Sequence, residues 1–125
     1  MDLVLRFETG VAADLEALGA RNKWTMLKRS GAGREGYNVL VSDKDSVTDQ
    51  VHDAMAFLSS HASDLEKVIR SSGQAPLLDF GVASDERPFY MNCYFPAPFL
   101  RTLVTIGVEL NVSVYQSYES FVSDR

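Results

Sequence analysis

Residues 79–115 read DFGVASDERPFYMNCYFPAPFLRTLVTIGVELNVSVY, and this stretch decides the fold that the sequence predicts. Apolar and polar residues alternate over 89–95, which predicts a strand. The Pro-Ala-Pro segment at 96–98 ends that strand, because proline cannot donate to a ladder but suits the first turn of a helix. Apolar residues at helical spacing then lead to Gly107, which suits the left-handed position after a helix. Alternation returns over 108–114, so the stretch predicts strand, helix and strand.

The first third of the chain predicts two more strands and a short helix. Residues 2–8 alternate between apolar and polar side chains, as a half-buried strand does. A short helix follows and is expected to end at Gly19, because glycine is common just past a helix. Residues 22–28 predict a weak strand, paired with a stronger one at 37–42 across the glycine-rich turn 30–36.

The middle of the chain is helical. Ser46 and Asp49 have the spacing of a capping box, with Asp in place of the usual Glu or Gln. Apolar residues then recur at helical spacing, and small hydroxyl residues near the centre weaken the pattern. The region 46–72 therefore predicts either two helices or one bent helix, ended by Gly73. Pro76 opens the next strand, in which Leu78, Phe80 and Val82 share one face.

The order of these elements predicts a single α+β domain over residues 1–125. From Tyr37 onward it is strand, helices, strand, strand, helix, strand, which is the split βαβ pattern of ferredoxin-like domains. We therefore expect a ferredoxin-like βαββαβ core at 37–116, with the strand and helix of 2–28 as an N-terminal extension. The sheet is expected to be antiparallel or mixed, with helices on one face.

The core residues expected from these patterns come from every element. They are Leu5, Val39, Val51, Met55, Leu58, Leu65, Ile69, Phe80, Met91, Phe95, Leu103, Val112 and Val114.

The composition indicates a soluble, cytoplasmic chain. A hydrophobic fraction of 46% over 125 residues is enough for one core, so disorder is not expected. The apolar runs are shorter than the ~20 residues that a membrane span needs. The start, MDLVLRFETG, has no basic lead and does not resemble a secretory signal. A single cysteine, Cys93, cannot form an internal disulfide, which favours the cytoplasm.

The charge distribution argues against a nucleic-acid partner. The net charge is −5. Residues 1–36 carry six Lys/Arg and five Asp/Glu, whereas 37–125 carry six and twelve, giving +1 and −6. An acidic body repels phosphate backbones. The local basic excess at 21–36 fits a solvated loop.

The chemical motifs give no catalytic residue, metal or cofactor. The segment 31–36 spells GxGxxG, but a strand is expected after it, whereas nucleotide binding needs a helix there. The kinase-like DFG at 79–81 has no catalytic loop to accompany it. Asp49 and His52 can share a metal in principle, but no third ligand is visible, so a solvated helix face is expected. Cys93 is expected to be a buried small hydrophobe.

Two groups of residues are candidates for binding. The first is the polar side of the strand at 89–95, where two tyrosines would line the open face of the sheet; its members are Tyr90, Asn92 and Tyr94. Tyrosine supplies contact area and a hydrogen bond, so a protein contact is expected there, most simply in a homodimer. The second group borders the basic loop and comprises Trp24, Lys28 and Arg29. A cleft near 21–36 would instead favour a small-molecule-binding domain or a minor enzyme.

Several core positions resemble those of a known family. They are the segment Asp14-Leu15-Glu16-Ala17-Leu18-Gly19, Trp24 with Lys28, the helical middle from Val51 to Ile69, and the ending Phe99-Leu100-x-x-Leu103-x-x-x-Gly107-x-x-Leu110-x-Val112-x-Val114-Tyr115. With these the chain resembles the uncharacterised bacterial family named domain of unknown function 4279. The resemblance implies an α+β domain with no known activity, so no functional residue carries over. In size and charge the chain is also similar to immunity proteins that neutralise bacterial toxins.

Overall fold

A computed structural model describes residues 2–8, 12–29, 36–84 and 92–116. Its elements are, in order, β1 (Leu3–Glu8), α1 (Ala12–Asn22), β2 (Met26–Arg29), β3 (Gly36–Ser42), α2 (Val47–Ser72), β4 (Leu77–Ser84), α3 (Ala97–Ile106) and β5 (Glu109–Gln116). Within these residues the strands form one sheet in the order β2-β3-β1-β4-β5. Neighbouring strands are antiparallel except for β4 and β5, which are parallel. The predicted α+β class with a mixed sheet is therefore confirmed.

The ferredoxin-like core uses other strands than the sequence indicated. The elements β1, α1, β2, β3, α2 and β4 have the βαββαβ order, and their strands are neighbours in one sheet. The core therefore spans 3–84 and not 37–116, so that boundary was wrong. The strand at 2–8, expected as an extension, is central, because it pairs with β3 on one side and β4 on the other. The extension is instead C-terminal and consists of α3 and β5.

A strand was predicted at 89–95, but the described residues of this segment form none. Residues 92–96 have no regular secondary structure, and 85–91 lie outside the described residues. Phe95 is half-buried, and its ring lies 5.1 Å from that of Phe80 and 6.1 Å from that of Phe99. Side chains also alternate in an extended segment that is not paired with a strand. The alternation of apolar and polar residues in the sequence therefore did not require this segment to join the sheet.

Helix α2 is one continuous helix, which decides between the two alternatives for 46–72. Ser46 caps it, and the side-chain oxygen accepts a hydrogen bond from the Asp49 backbone N–H at 3.1 Å. Gly73 ends it in the left-handed region with φ of 70°. The buried face runs through both halves, and this continuous packing outweighs the weak helix propensity of the central serines.

Gly19 does not end α1, so that expectation was wrong. The helix continues to Asn22, and Lys23 takes the left-handed position after it with φ of 57°. The Trp24 backbone N–H donates to the Gly19 carbonyl at 2.9 Å and closes the last turn. A Cβ atom on Gly19 would collide with the Met26 sulfur, so the glycine lets β2 approach the helix.

One core lies between the sheet and the three helices. Its buried residues on the sheet include Leu3, Leu5, Phe7, Val39, Leu78 and Phe80, and every helix contributes to the same cluster. Of the expected core residues, seven are buried: Leu5, Val39, Val51, Leu58, Leu65, Phe80 and Leu103. Four are half-buried against the cluster: Met55, Ile69, Phe95 and Val112. Val114 is 44% exposed, so its placement in the core was wrong, because it lies near the end of an edge strand. Met91 lies outside the described residues.

Candidate protein-binding edge

The candidate binding residues that the structure describes do not lie together. Trp24 is half-buried against α2, where its indole Nε1–H donates to His61 Nε2 at 3.3 Å. Its ring also lies 5.3 Å from that of Phe57. These contacts explain Trp24 as an anchor between the α1–β2 connection and α2.

The two basic candidates lie in β2 and have different surroundings. Lys28 is exposed. The Arg29 guanidinium donates to the Phe7 carbonyl at 2.9 Å and lies 3.7 Å from the Glu8 carboxylate. Gly36 permits this reach, because a Cβ there would collide with both the Phe7 oxygen and the arginine. Arg29 therefore ties β2 to β1.

Tyr94 lies on the helix side of the sheet, which corrects its expected place on the open face. It is 64% exposed and borders an apolar cavity of about 430 Å³ between the N-terminal parts of α2 and α3. The cavity wall also includes Met55, Pro96 and Phe99. Asn92 is exposed in the irregular segment before α3, and Tyr90 falls outside the described residues.

The open face of the sheet carries a polar network that the sequence did not reveal. Asp79 is buried there, and its carboxylate accepts from Arg6 at 2.9 Å, from Asn111 at 2.9 Å and from Ser113 at 2.8 Å. Its donors come from β1 and β5, the strands on either side of β4. The network therefore ties three strands together. Only the register shows that residues so far apart in sequence are neighbours.

The two edges of the sheet differ sharply. The β2 edge has four residues and carries Lys28 and Arg29, and short charged edge strands resist pairing with other chains. The β5 edge has eight residues, ELNVSVYQ, and its only charge is at Glu109. Long edge strands with few charges invite a further strand. Among the described residues β5 pairs only with β4, so its outer side is open.

Helix α3 exposes apolar side chains beside this open edge. Its inner side is buried through Phe99, Leu103 and Ile106. Val104 is 82% exposed, and Leu100, one turn earlier, is also exposed. Beside its buried stripe, α3 therefore carries a second apolar stripe that is exposed among the described residues.

The polar side chains of α3 lie away from its exposed apolar stripe, because Arg101, Thr102 and Thr105 line a cavity against α2. The Thr102 hydroxyl donates to the Pro98 carbonyl at 3.0 Å, and the Thr105 hydroxyl donates to the Arg101 carbonyl at 2.9 Å. Both hydroxyl protons are therefore used within the helix. Because α3 packs against β5, the helix and the strand form one surface, which we name the β5–α3 edge (Ala97–Ile106 with Glu109–Gln116).

Comparisons with protein-family models, curated proteins and solved structures found no match for this chain. The resemblance to the domain of unknown function 4279 family stays a prediction. No helix in the described part is both long and apolar enough to cross a membrane. Nor do the described residues group three His, Cys, Asp or Glu side chains closely enough to hold a metal ion.

Proposed function

We propose that this chain is a non-catalytic, cytoplasmic protein-binding domain, and that its contact surface is the β5–α3 edge. The observation that carries the proposal is the 82% exposure of Val104 beside a long edge strand whose only charged residue is Glu109. Burying exposed apolar surface and unpaired backbone groups together favours association. The proposal keeps the expected protein contact but moves it away from the tyrosines at 90 and 94.

A non-catalytic role is supported by the way the buried carboxylate is used. Asp79 accepts hydrogen bonds from Asn111 and Ser113 and forms an ion pair with Arg6, and all three side chains come from neighbouring strands. A general acid or base needs a free position for the proton it moves. The network thus fits a structural role, and the adjacent edge fits a binding role.

Site-specific photocrosslinking in cells that produce the chain tests this function. A photoreactive amino acid replaces Val104, and in a matched variant it replaces Leu27, which is 67% exposed on the opposite edge. We expect covalent adducts of higher mass from position 104 and none from position 27. Equal adducts from both positions, or none from 104, would contradict a contact at the β5–α3 edge.

A further inference from the structure

We infer that the occupant of the β5–α3 edge is a second copy of this chain, with the two β5 strands antiparallel across a two-fold axis. This inference rests on the proposed function, since it names the partner for the same surface.

The backbone of β5 presents a regular row of outward hydrogen-bonding groups. The Glu109 N–H donates to the Pro76 carbonyl at 2.9 Å, so Glu109 directs its backbone groups toward the β4 side. In a ladder, alternate residues direct both the N–H and the C=O to the same neighbour. The groups of Leu110, Val112 and Val114 therefore point away from β4. Their side chains lie on the helix side, where Leu110 and Val112 contact the core.

If β5 pairs antiparallel with β5 of a second copy, the outward N–H and C=O groups of the two strands can form hydrogen bonds with each other. With the two-fold axis at Val112, Val112 faces Val112, and Leu110 of one copy faces Val114 of the other. Each such pair joins outward residues and places apolar side chains opposite one another on the helix side, as stable cross-strand pairs require. If the pairing shifted by one residue, backbone groups that point toward the other copy would face groups that point toward β4. The direction of the backbone groups in β5 therefore limits the register of the pairing.

The same symmetry covers the exposed side of α3. Pairing the strands joins the two sheets, and the two α3 helices come to lie on the same face of the joined sheet. The apolar side chains of Leu100 and Val104 are then turned toward the other copy, because other residues of α3 occupy its core side and its α2 side.

The charge distribution makes the β5–α3 edge a surface at which two copies can meet without net repulsion. The whole chain carries −5, so two copies repel each other through most of their surfaces. The β5–α3 edge contains one cation, Arg101, and one anion, Glu109, and is therefore neutral. Antiparallel pairing also puts the two Glu109 carboxylates at opposite ends of the joined strands, whereas parallel pairing would put them side by side.

Sedimentation of the full chain from about 1 to 100 μM, a range that covers ordinary micromolar affinities, is the first test. We expect a species of twice 13.9 kDa. Val104→Glu should raise the dissociation constant about thirty-fold or more, the effect of losing a central contact. The matched variant Leu27→Glu places the same charge on the other edge and should leave the dimer intact. Both positions are exposed, so both variants should retain the circular dichroism of the folded chain.

Amide hydrogen exchange gives a second readout. The outward N–H groups of Leu110, Val112 and Val114 should exchange more slowly as protein concentration rises, and Val104→Glu should remove that dependence. A monomer at every concentration would overturn the inference, as would a dimer that Leu27→Glu separates and Val104→Glu does not. If the chain is monomeric but position 104 crosslinks a protein of another mass in cells, self-pairing fails and the proposed function stands. Failure of that crosslink as well would remove both.

Discussion

Replacing Leu103 by Ala tests whether the inner side of α3 holds this helix on the sheet. Leu103 is 3% exposed, so the change removes three carbon atoms from a packed site. At about 0.8 kcal/mol for each buried carbon the transfer loss is about 2.4 kcal/mol, and a cavity that does not close adds to it. We expect the free energy of unfolding to fall by about 2–5 kcal/mol. For a chain of this length that corresponds to a fall in Tm of roughly 10 °C.

The matched control is Val104→Ala, one residue further along the same helix. Val104 is exposed, and Ala has the higher helix propensity by about half a kcal/mol, so the stability of the monomer should be unchanged or slightly higher. Urea unfolding, followed by circular dichroism at several protein concentrations, separates loss of core packing from loss of association. A loss below about 0.5 kcal/mol for Leu103→Ala, the range of surface substitutions, would refute the assigned orientation of α3.

Three further changes test the sheet and its connection to α1. The hydrogen bond from the Tyr37 hydroxyl to the Glu16 carboxylate and, second, burial raise the pKa of Tyr37 above its usual value of 10.0. The stability that this raised pKa provides is present below pH 10 and is lost as the pH rises through it. The free energy of unfolding of Tyr37→Phe in urea should therefore depend less on pH in alkali than that of the unchanged chain. Gly36→Ala should cost roughly 1–3 kcal/mol in thermal unfolding, because its Cβ meets the rigid Phe7 carbonyl; an unchanged Tm would contradict that close approach. Asp79→Ala should cost about 1–3 kcal/mol in urea, because three donors lose their acceptor, and a neutral result would mean that water replaces the carboxylate.

Local chemistry in the sequence predicted the ends of two helices correctly. Gly73 and Gly107 both have positive φ, at 70° and 98°, and each directs its backbone N–H to a carbonyl of the preceding turn. Ser46 caps α2 as its spacing with Asp49 predicted. These features depend on a few consecutive residues, and the sequence contains all the information they require.

Long-range features could not be predicted in this way. The alternation at 89–95 gave no sign that residues 92–96 would stay unpaired, because pairing depends on where a partner strand lies. Glycine is common at helix ends, but Gly19 lies inside α1, where the lack of a Cβ atom leaves room for the Met26 side chain of β2. The central position of β1 likewise follows from its two partners and not from its own residues.

The candidate edge was missed for a related reason. Leu100 and Val104 repeat at the same spacing of four residues as Phe99 and Leu103, so the sequence shows one wide apolar stripe and does not divide it into a buried and an exposed part. Only the position of α3 over the sheet separates the buried set from the exposed one. Hydrophobic periodicity finds such a helix but cannot say which side a partner would cover.

The central place of β1 has a consequence for synthesis on the ribosome. Glu8 ends β1, and its neighbour β4 begins at Leu77, about 70 residues later. At translation rates of about 5–20 residues per second, the start of β4 is synthesised roughly 4 to 14 seconds after the end of β1. Throughout this interval the β4 side of β1 stays unpaired, and Leu3 and Leu5 lack their neighbours Phe80 and Leu78. A nascent chain that stalls before residue 77 would therefore be a substrate for chaperones, however stable the finished domain is.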